Sequence, residues 1–112
     1  MNSHETDYAI PASIFHDRQI AVLEAISEYL KERHELTYHE IAVLLNRDDR
    51  TIWTCYNRAK KKRKKRIKES SDVYIPVEIL KDRKVSVLEK IVEYLKDKTE
   101  FSYHEIAVLL NR

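Results

Sequence analysis

A long internal duplication constrains this chain more than any other feature. Residues 10–47 align with residues 75–112 at a constant offset of 65 without gaps, and about two-thirds of the aligned positions are identical. Segments this similar arise by duplication, so we expect both copies to fold alike. The period is longer than the repeat of a solenoid, which predicts two beads on the chain rather than a stacked array.

The second copy is shorter than the first. It stops at Arg112, whereas the first copy continues from Asp48 as DDRTIWTCYNRAKKK. We expect either a fragment of a longer protein or a second unit that has lost its last helix. A unit without that helix exposes apolar surface, which favours a partner, a homo-oligomer or an exchange of helices between chains.

Composition and periodicity predict a helical fold. The chain has no glycine, which argues against folds that depend on tight turns, hairpins or phosphate-binding loops. Apolar residues recur every three or four positions and predict an amphipathic helix over Gln19–Arg33. A short helix is predicted over Tyr38–Leu45, where Thr37 and Glu40 form a capping-box pattern.

A third helix is predicted after a short turn. Asn46 tolerates the left-handed conformation and can end the preceding helix where no glycine is present. Asp48 is a plausible N-cap for a helix that runs from Asp49 into the lysine-rich segment. Ile52, Tyr56 and Ala59 share one face of that helix.

The predicted fold is all-α, with tandem three-helix units of the helix-turn-helix type and a second unit that lacks its last helix. We assign residues 1–9 to a flexible tail and residues 10–59 to the first unit. Residues 60–72 form a basic helix extension or linker, and residues 73–112 form the truncated second copy.

The charge distribution is strongly uneven. The segment Arg58–Lys68 contains nine Lys or Arg residues and no acid. The rest of the chain has 12 bases and 19 acids, and therefore a net charge of −7. Such a run is often only a solvated face or a linker. Here it continues from the predicted third helix, which favours binding of a polyanion.

Two helices joined by a short turn are typical of a helix-turn-helix, whose second helix enters the major groove of DNA. Its first turns must then carry side chains that hydrogen-bond base edges. The residues predicted to read bases are Arg50, Trp53, Thr54, Asn57 and Arg58. The residues predicted to contact the DNA backbone are Thr37, Arg47, Lys60, Lys61, Lys62, Arg63, Lys64, Lys65 and Arg66.

The same segment resembles the helix-turn-helix of region four of bacterial sigma factors and related transcription regulators. The matching elements are Glu40-Ile41-Ala42, Leu45, the turn at Asn46–Asp48, Thr51-Ile52 and Arg58-Ala59 followed by Lys60–Lys62. The resemblance covers about 30 residues and implies promoter-type DNA binding. The turn lacks the usual glycine, and Trp53 stands where a small or basic residue is more common. Nothing resembles the other sigma regions, so we infer a DNA-binding module rather than a sigma factor.

Other chemistry is less well supported by the residues. Trp53 either contacts DNA or packs against the first helix or the neighbouring copy. Cys55 fits a packing or surface role, because no partner base accompanies it. His39 and His104 lack the spacing of metal ligands and are expected to face solvent or phosphate.

The sequence therefore predicts a cytoplasmic protein that binds double-stranded DNA, nucleoid-associated when bound. We expect no enzymatic activity, cofactor, metal, membrane contact or small-molecule substrate. Two alternatives stay open. One is RNA binding through the basic segment, and the other is a protein-interaction or assembly module built on the helical repeat.

Overall fold

A computed structural model describes residues 8–64 and 71–112. Its elements, in chain order, are β1 (Ala9–Pro11), a first 3₁₀-helix (Ala12–Phe15), α1 (Val22–Arg33), α2 (Tyr38–Leu45), α3 (Asp49–Lys62), β2 (Tyr74–Pro76), a second 3₁₀-helix (Val77–Lys81), α4 (Val87–Lys98) and α5 (Tyr103–Leu110). The molecule is mostly helical, as predicted. The second copy repeats the elements of the first up to α2, so the expectation that both copies fold alike is confirmed.

The two short strands were not predicted. β1 and β2 pair antiparallel, and Ile10 lies opposite Ile75, which is its own counterpart in the other copy. The flanking backbone bonds are also reciprocal, because Ala12 N–H donates to Val73 O and Val77 N–H donates to Tyr8 O, both at 2.9 Å. The copies are thus related by a pseudo-twofold axis through this strand pair. Three-residue strands are too short to leave a periodic signal.

Each copy also packs its second helix against the 3₁₀-helix of the other copy. The side-chain amide of Asn46 donates to Lys81 O at 3.0 Å, and that of Asn111 donates to His16 O at 2.7 Å. Residues of both copies form one continuous hydrophobic core around the buried Ile10 and Ile75. Because the copies share this core as well as the strand pair, they are interlocked rather than two separate beads. The strand pair alone would be only marginally stable.

Local signals set the helix boundaries within each copy. Thr37 Oγ1 accepts from Glu40 N–H at 3.0 Å and Glu40 accepts from Thr37 N–H at 2.8 Å, as the capping-box pattern predicts. Asn46 ends α2 in the left-handed conformation with φ 57°. Asp48 caps α3 by accepting from Thr51 N–H at 2.7 Å. These interactions satisfy backbone groups that a helix end otherwise leaves unpaired.

Two predicted boundaries need correction. α1 begins at Val22 rather than at Gln19, because the side chain of Asp17 accepts from Gln19 N–H at 3.0 Å and holds a turn there. α3 ends at Lys62 with Arg63 in an extended conformation, so the basic segment does not continue the helix beyond that residue. Residues 65–70 of the predicted extension lie outside the described residues.

None of the helices in the described ranges has the length and apolar composition that crossing a bilayer requires.

Candidate nucleic-acid interface

α3 has a buried face and an exposed face. Ile52 and Ala59 are fully buried against the rest of the first copy, and α3 packs mainly on α1 and also on α2. The opposite face carries the exposed Arg50, Trp53 and Arg58. The amphipathic pattern of this helix thus presents polar and basic side chains outward.

The five residues predicted to read bases all lie on α3 within its first three turns. Arg50, Trp53 and Arg58 are exposed, whereas Thr54 and Asn57 are half-buried. Arg50, Trp53 and Thr54 line a shallow groove of about 480 Å³ together with Tyr38 and Asp49. The helix therefore brings the predicted residues together on one accessible surface.

Trp53 is 52% exposed, although it is large and apolar. It does not belong to the hydrophobic core cluster, and packing covers only about half of its surface. A half-exposed indole beside Arg50 and Thr54 can contact a sugar, a thymine methyl group or an apolar partner.

Asn57 has its side-chain amide engaged within the helix. Its Nδ2 donates to Trp53 O, one turn earlier, at 2.8 Å. Reading an adenine with both amide atoms requires the side chain to leave this bond. The single bond to Trp53 O would then be replaced by two bonds to the adenine.

The start of α3 is attached to α2 through a histidine and an aspartate. His39 Nδ1 lies 3.1 Å from Asp49 Oδ1, and both side chains are largely exposed. Protonation of His39 turns this contact into an ion pair. No group of three or more potential metal-ligating side chains exists among residues 8–64 and 71–112.

The basic end of α3 is partly neutralised by acids of α1. Lys60 Nζ lies 2.7 Å from Glu32, Lys62 Nζ lies 2.8 Å from Glu24, and Arg63 lies 2.6 Å from Glu28. Glu24 and Glu28 are buried. These three cations hold α3 on α1, and contact with phosphate requires them to leave or share those partners.

The acids of α1 were not singled out from the sequence. Glu24, Glu28 and Glu32 recur every four residues, which is the signal that could have identified an acidic stripe facing the basic helix. Burial raises the pKa of Glu32, but the hydrogen bonds from Lys60 and Tyr56, together with nearby positive charges, lower it by more. The pKa of Glu32 therefore lies below its ordinary value. The carboxylate is therefore charged at neutral pH.

The remaining predicted backbone contacts differ in their availability. Lys61 and Lys64 are exposed, and neither makes an ion pair within the described part of the chain. Thr37 uses its hydroxyl oxygen as the cap of α2. Arg47 donates to Leu45 O at 2.6 Å, and burial lowers its pKa. Lys65 and Arg66 lie outside the described residues.

Cys55 is half-buried on α3. Burial raises the pKa of its thiol, and the charge of Glu24 raises it further. The thiol is thus mainly protonated at neutral pH, which is the opposite of what a nucleophile needs.

Comparisons with protein-family models, with curated proteins and with solved structures returned no significant match.

Proposed function

We propose that α2 and α3 act as a helix-turn-helix that binds double-stranded DNA, with α3 in the major groove. The observation that carries the proposal is the composition of the exposed face of α3. Arg50, Arg58 and Lys61 project there beside Thr54 and Asn57. On the described helix, the only acids are Asp49 and the preceding cap, Asp48, at its start.

The order of these groups along α3 supports the proposal. Arg50, Thr54 and Asn57 lie in the N-terminal half, where a recognition helix approaches base edges. An arginine can donate two hydrogen bonds to guanine, and an asparagine can pair with adenine in the same way. Lys61 follows in the last turn of α3 and Lys64 just beyond its end, and we assign both to phosphate contacts.

The ion pairs with α1 assign a different role to the neighbouring cations. Lys60, Lys62 and Arg63 position α3, whereas Lys61 and Lys64 supply the charge available to DNA. Each phosphate contact that forms releases counterions and steepens the dependence of affinity on salt. The proposal thus gives Lys61 a different role from Lys60 and Lys62, its neighbours in the sequence.

The test is a salt titration of binding to random duplex DNA, duplex RNA and single strands. We expect duplex DNA to bind most tightly, with affinity falling steeply as salt rises. Lys61→Ala should reduce the slope by about one unit, while Asn57→Ala should reduce discrimination between DNA sequences more than overall affinity.

Lys84→Ala is the control, because Lys84 is an exposed lysine of the second copy. It should leave the slope unchanged. Preferential binding of duplex RNA would favour the RNA alternative instead. No binding to any nucleic acid near physiological salt would refute the proposal.

A further inference from the structure

The turn between α2 and α3 is in contact with the second copy. Asn46, which ends α2, donates from its side-chain amide to Lys81 O at 3.0 Å, and α2 packs against the second 3₁₀-helix. Lys81 is the last residue of that 3₁₀-helix, and the chain continues from it in an extended conformation at Asp82. The hydrogen bond thus brings this segment of the second copy to the turn of the proposed helix-turn-helix.

Arg83 follows in the same segment, and its charge reaches the turn. It is exposed, and it forms no ion pair with any residue in the described ranges. Burial lowers the pKa of Arg47, and the charge of Arg83 lowers it further. Hydrogen bonds from Thr51 lower the pKa of Asp48, and the charges of Arg83 and Arg50 add to this effect. Guanidinium groups from both copies therefore surround the first turn of α3.

The acids near these arginines already have other partners. Asp48 accepts a backbone hydrogen bond at 2.7 Å as the cap of α3. Asp49 lies 3.1 Å from the ring of His39. Asp82 precedes Arg83 in the chain, but its carboxylate lies 3.8 Å from Lys90 of α4. The arginines thus face one another more closely than they face an acid that is free to pair with them.

This arrangement favours an anion. Guanidinium groups that repel one another lose that repulsion when a negative group lies between them. Arginine suits phosphate in particular, because its planar group can donate two parallel hydrogen bonds to the phosphate oxygens.

The length of α3 places this cluster near a DNA backbone. α3 has 14 residues and is therefore about 21 Å long, whereas the major groove is about 12 Å wide. The sugar-phosphate backbones that border the groove thus pass close to both ends of the helix. Lys61 and Lys64 lie at the C-terminal end of α3, and Arg83 lies at its start.

We propose that Arg83 contacts a DNA phosphate beside the first turn of α3, so that both copies form the DNA interface. This inference rests on the DNA binding proposed above and assigns the second copy a part in it. The second copy places a cation on the backbone opposite the one that Lys61 contacts. Since β1 and β2 join the copies, the cation is held in position before DNA arrives, which reduces the entropy lost on binding.

The duplication supplies a matched control at Arg18. Arg18 corresponds to Arg83 at the offset of 65 and is also exposed. It lies at the end of α5, where the side chain of Arg112 donates to Arg18 O at 3.3 Å. The pseudo-twofold axis therefore places these two equivalent arginines at different helices, and Arg83 is the one at the start of α3.

The test compares the salt dependence of binding to random duplex DNA among variants of the full chain. Arg83→Ala should lower the slope of log affinity against log salt by about one unit, as expected for one lost phosphate contact. Arg83→Lys should keep most of the slope, because lysine also pairs with phosphate. Arg18→Ala should leave the slope unchanged.

Amide chemical shifts give a second readout that needs no substitution. On addition of the same DNA we expect changes at residues 81–83 as well as along α3, and none at residues 16–18. Thermal denaturation of Arg83→Ala and Arg18→Ala should give the midpoint of the unchanged chain, because both side chains are exposed.

The outcomes separate this inference from the proposed function. A slope that falls in Lys61→Ala but not in Arg83→Ala would overturn the inference and leave DNA binding by α3 intact. Equal losses in Arg83→Ala and Arg18→Ala would also overturn it, because net charge alone would then explain the effect. If the unchanged chain does not bind DNA, the proposed function is refuted and this inference with it.

Discussion

The first and second copies have the same helices up to Asn46 and Asn111, yet their surfaces differ. In the first copy Glu24 and Glu28 are buried beneath the basic end of α3. In the second copy the corresponding Glu89 and Glu93 are exposed. The helices have corresponding bounds in both copies, because their caps lie within a few residues of each end. The burial of these glutamates, and their ion pairs with Lys62 and Arg63, depend on α3 and the residue that follows it.

This difference separates two kinds of stabilisation. The strand pair and the reciprocal asparagine bonds serve both copies equally. The ion pairs of Glu24, Glu28 and Glu32 and the hydrogen bond of Tyr56 stabilise only the first copy, where α3 is docked. Substitutions at matched positions can therefore measure what the third helix contributes.

The largest effect is expected at the inner face of α3. Ile52→Ala should lower the free energy of unfolding by about 3 kcal/mol, because Ile52 is fully buried and the cavity it leaves lies between packed helices. Urea denaturation followed by circular dichroism measures the loss. Val43→Ala, at an exposed position on α2, should change stability by less than about 0.5 kcal/mol. A loss below about 1 kcal/mol at Ile52 would mean that α3 is not firmly docked.

A somewhat smaller effect is expected for the buried ion pair. Arg63→Ala leaves the carboxylate of Glu28, whose side chain is 1% exposed, without its cation. The free energy of unfolding should fall by about 2 kcal/mol. This is less than for a fully buried pair, because Arg63 retains some contact with water. Adding Glu28→Gln should recover part of it. In the second copy, Lys90→Ala breaks a pair with the exposed Glu93 and should leave the urea midpoint unchanged; an equal loss in both copies would contradict this comparison.

The asparagines that end α2 and α5 should behave alike in the two copies. Asn46→Ala and Asn111→Ala each place alanine at a positive φ and remove one bond to the other copy, so each should cost about 1–2 kcal/mol. The glycine variants should cost less, because glycine adopts this φ freely and only the hydrogen bond is lost. Thermal denaturation of all four variants gives the comparison. A much larger effect at Asn46 would show that α3 depends on this turn.

The smallest effect concerns pH. Burial, aided by the bond to Glu32, raises the pKa of Tyr56 from 10.0 to about 12. The folded state thus favours the protonated phenol, and this contribution is complete below pH 10 and lost as the pH rises towards 12. Tyrosinate absorbance should show a late-titrating component that disappears in Tyr56→Phe. Glu32→Gln should move that titration to lower pH, and an unchanged curve in either variant would exclude this assignment.

Sequence reasoning predicted the parts of the fold that depend on neighbouring residues. The capping box at Thr37, the left-handed Asn46 and the cap at Asp48 were all identified correctly. Each depends on side chains that reach only three or so residues along the chain. The start of α1 was misplaced, because the turn at Asp17 competes with the helix there.

The candidate site was predicted less completely. The residues proposed to read bases do share one accessible surface of α3, since helical periodicity alone places them there. The basic run, in contrast, looked uniform in the sequence. Its division into cations held by α1 and cations facing solvent depends on Glu24, Glu28 and Glu32, which lie more than 25 residues earlier.

The sequence by itself determined the duplication, the helices and their ends, and the amphipathic character of α3, because these properties depend on local hydrogen bonds and periodicity. Only the tertiary structure decided that the copies interlock through β1 and β2. It also decided which cations of the basic run are neutralised. Those features depend on residues far apart in the chain, whose contacts follow from packing the helices around one shared core.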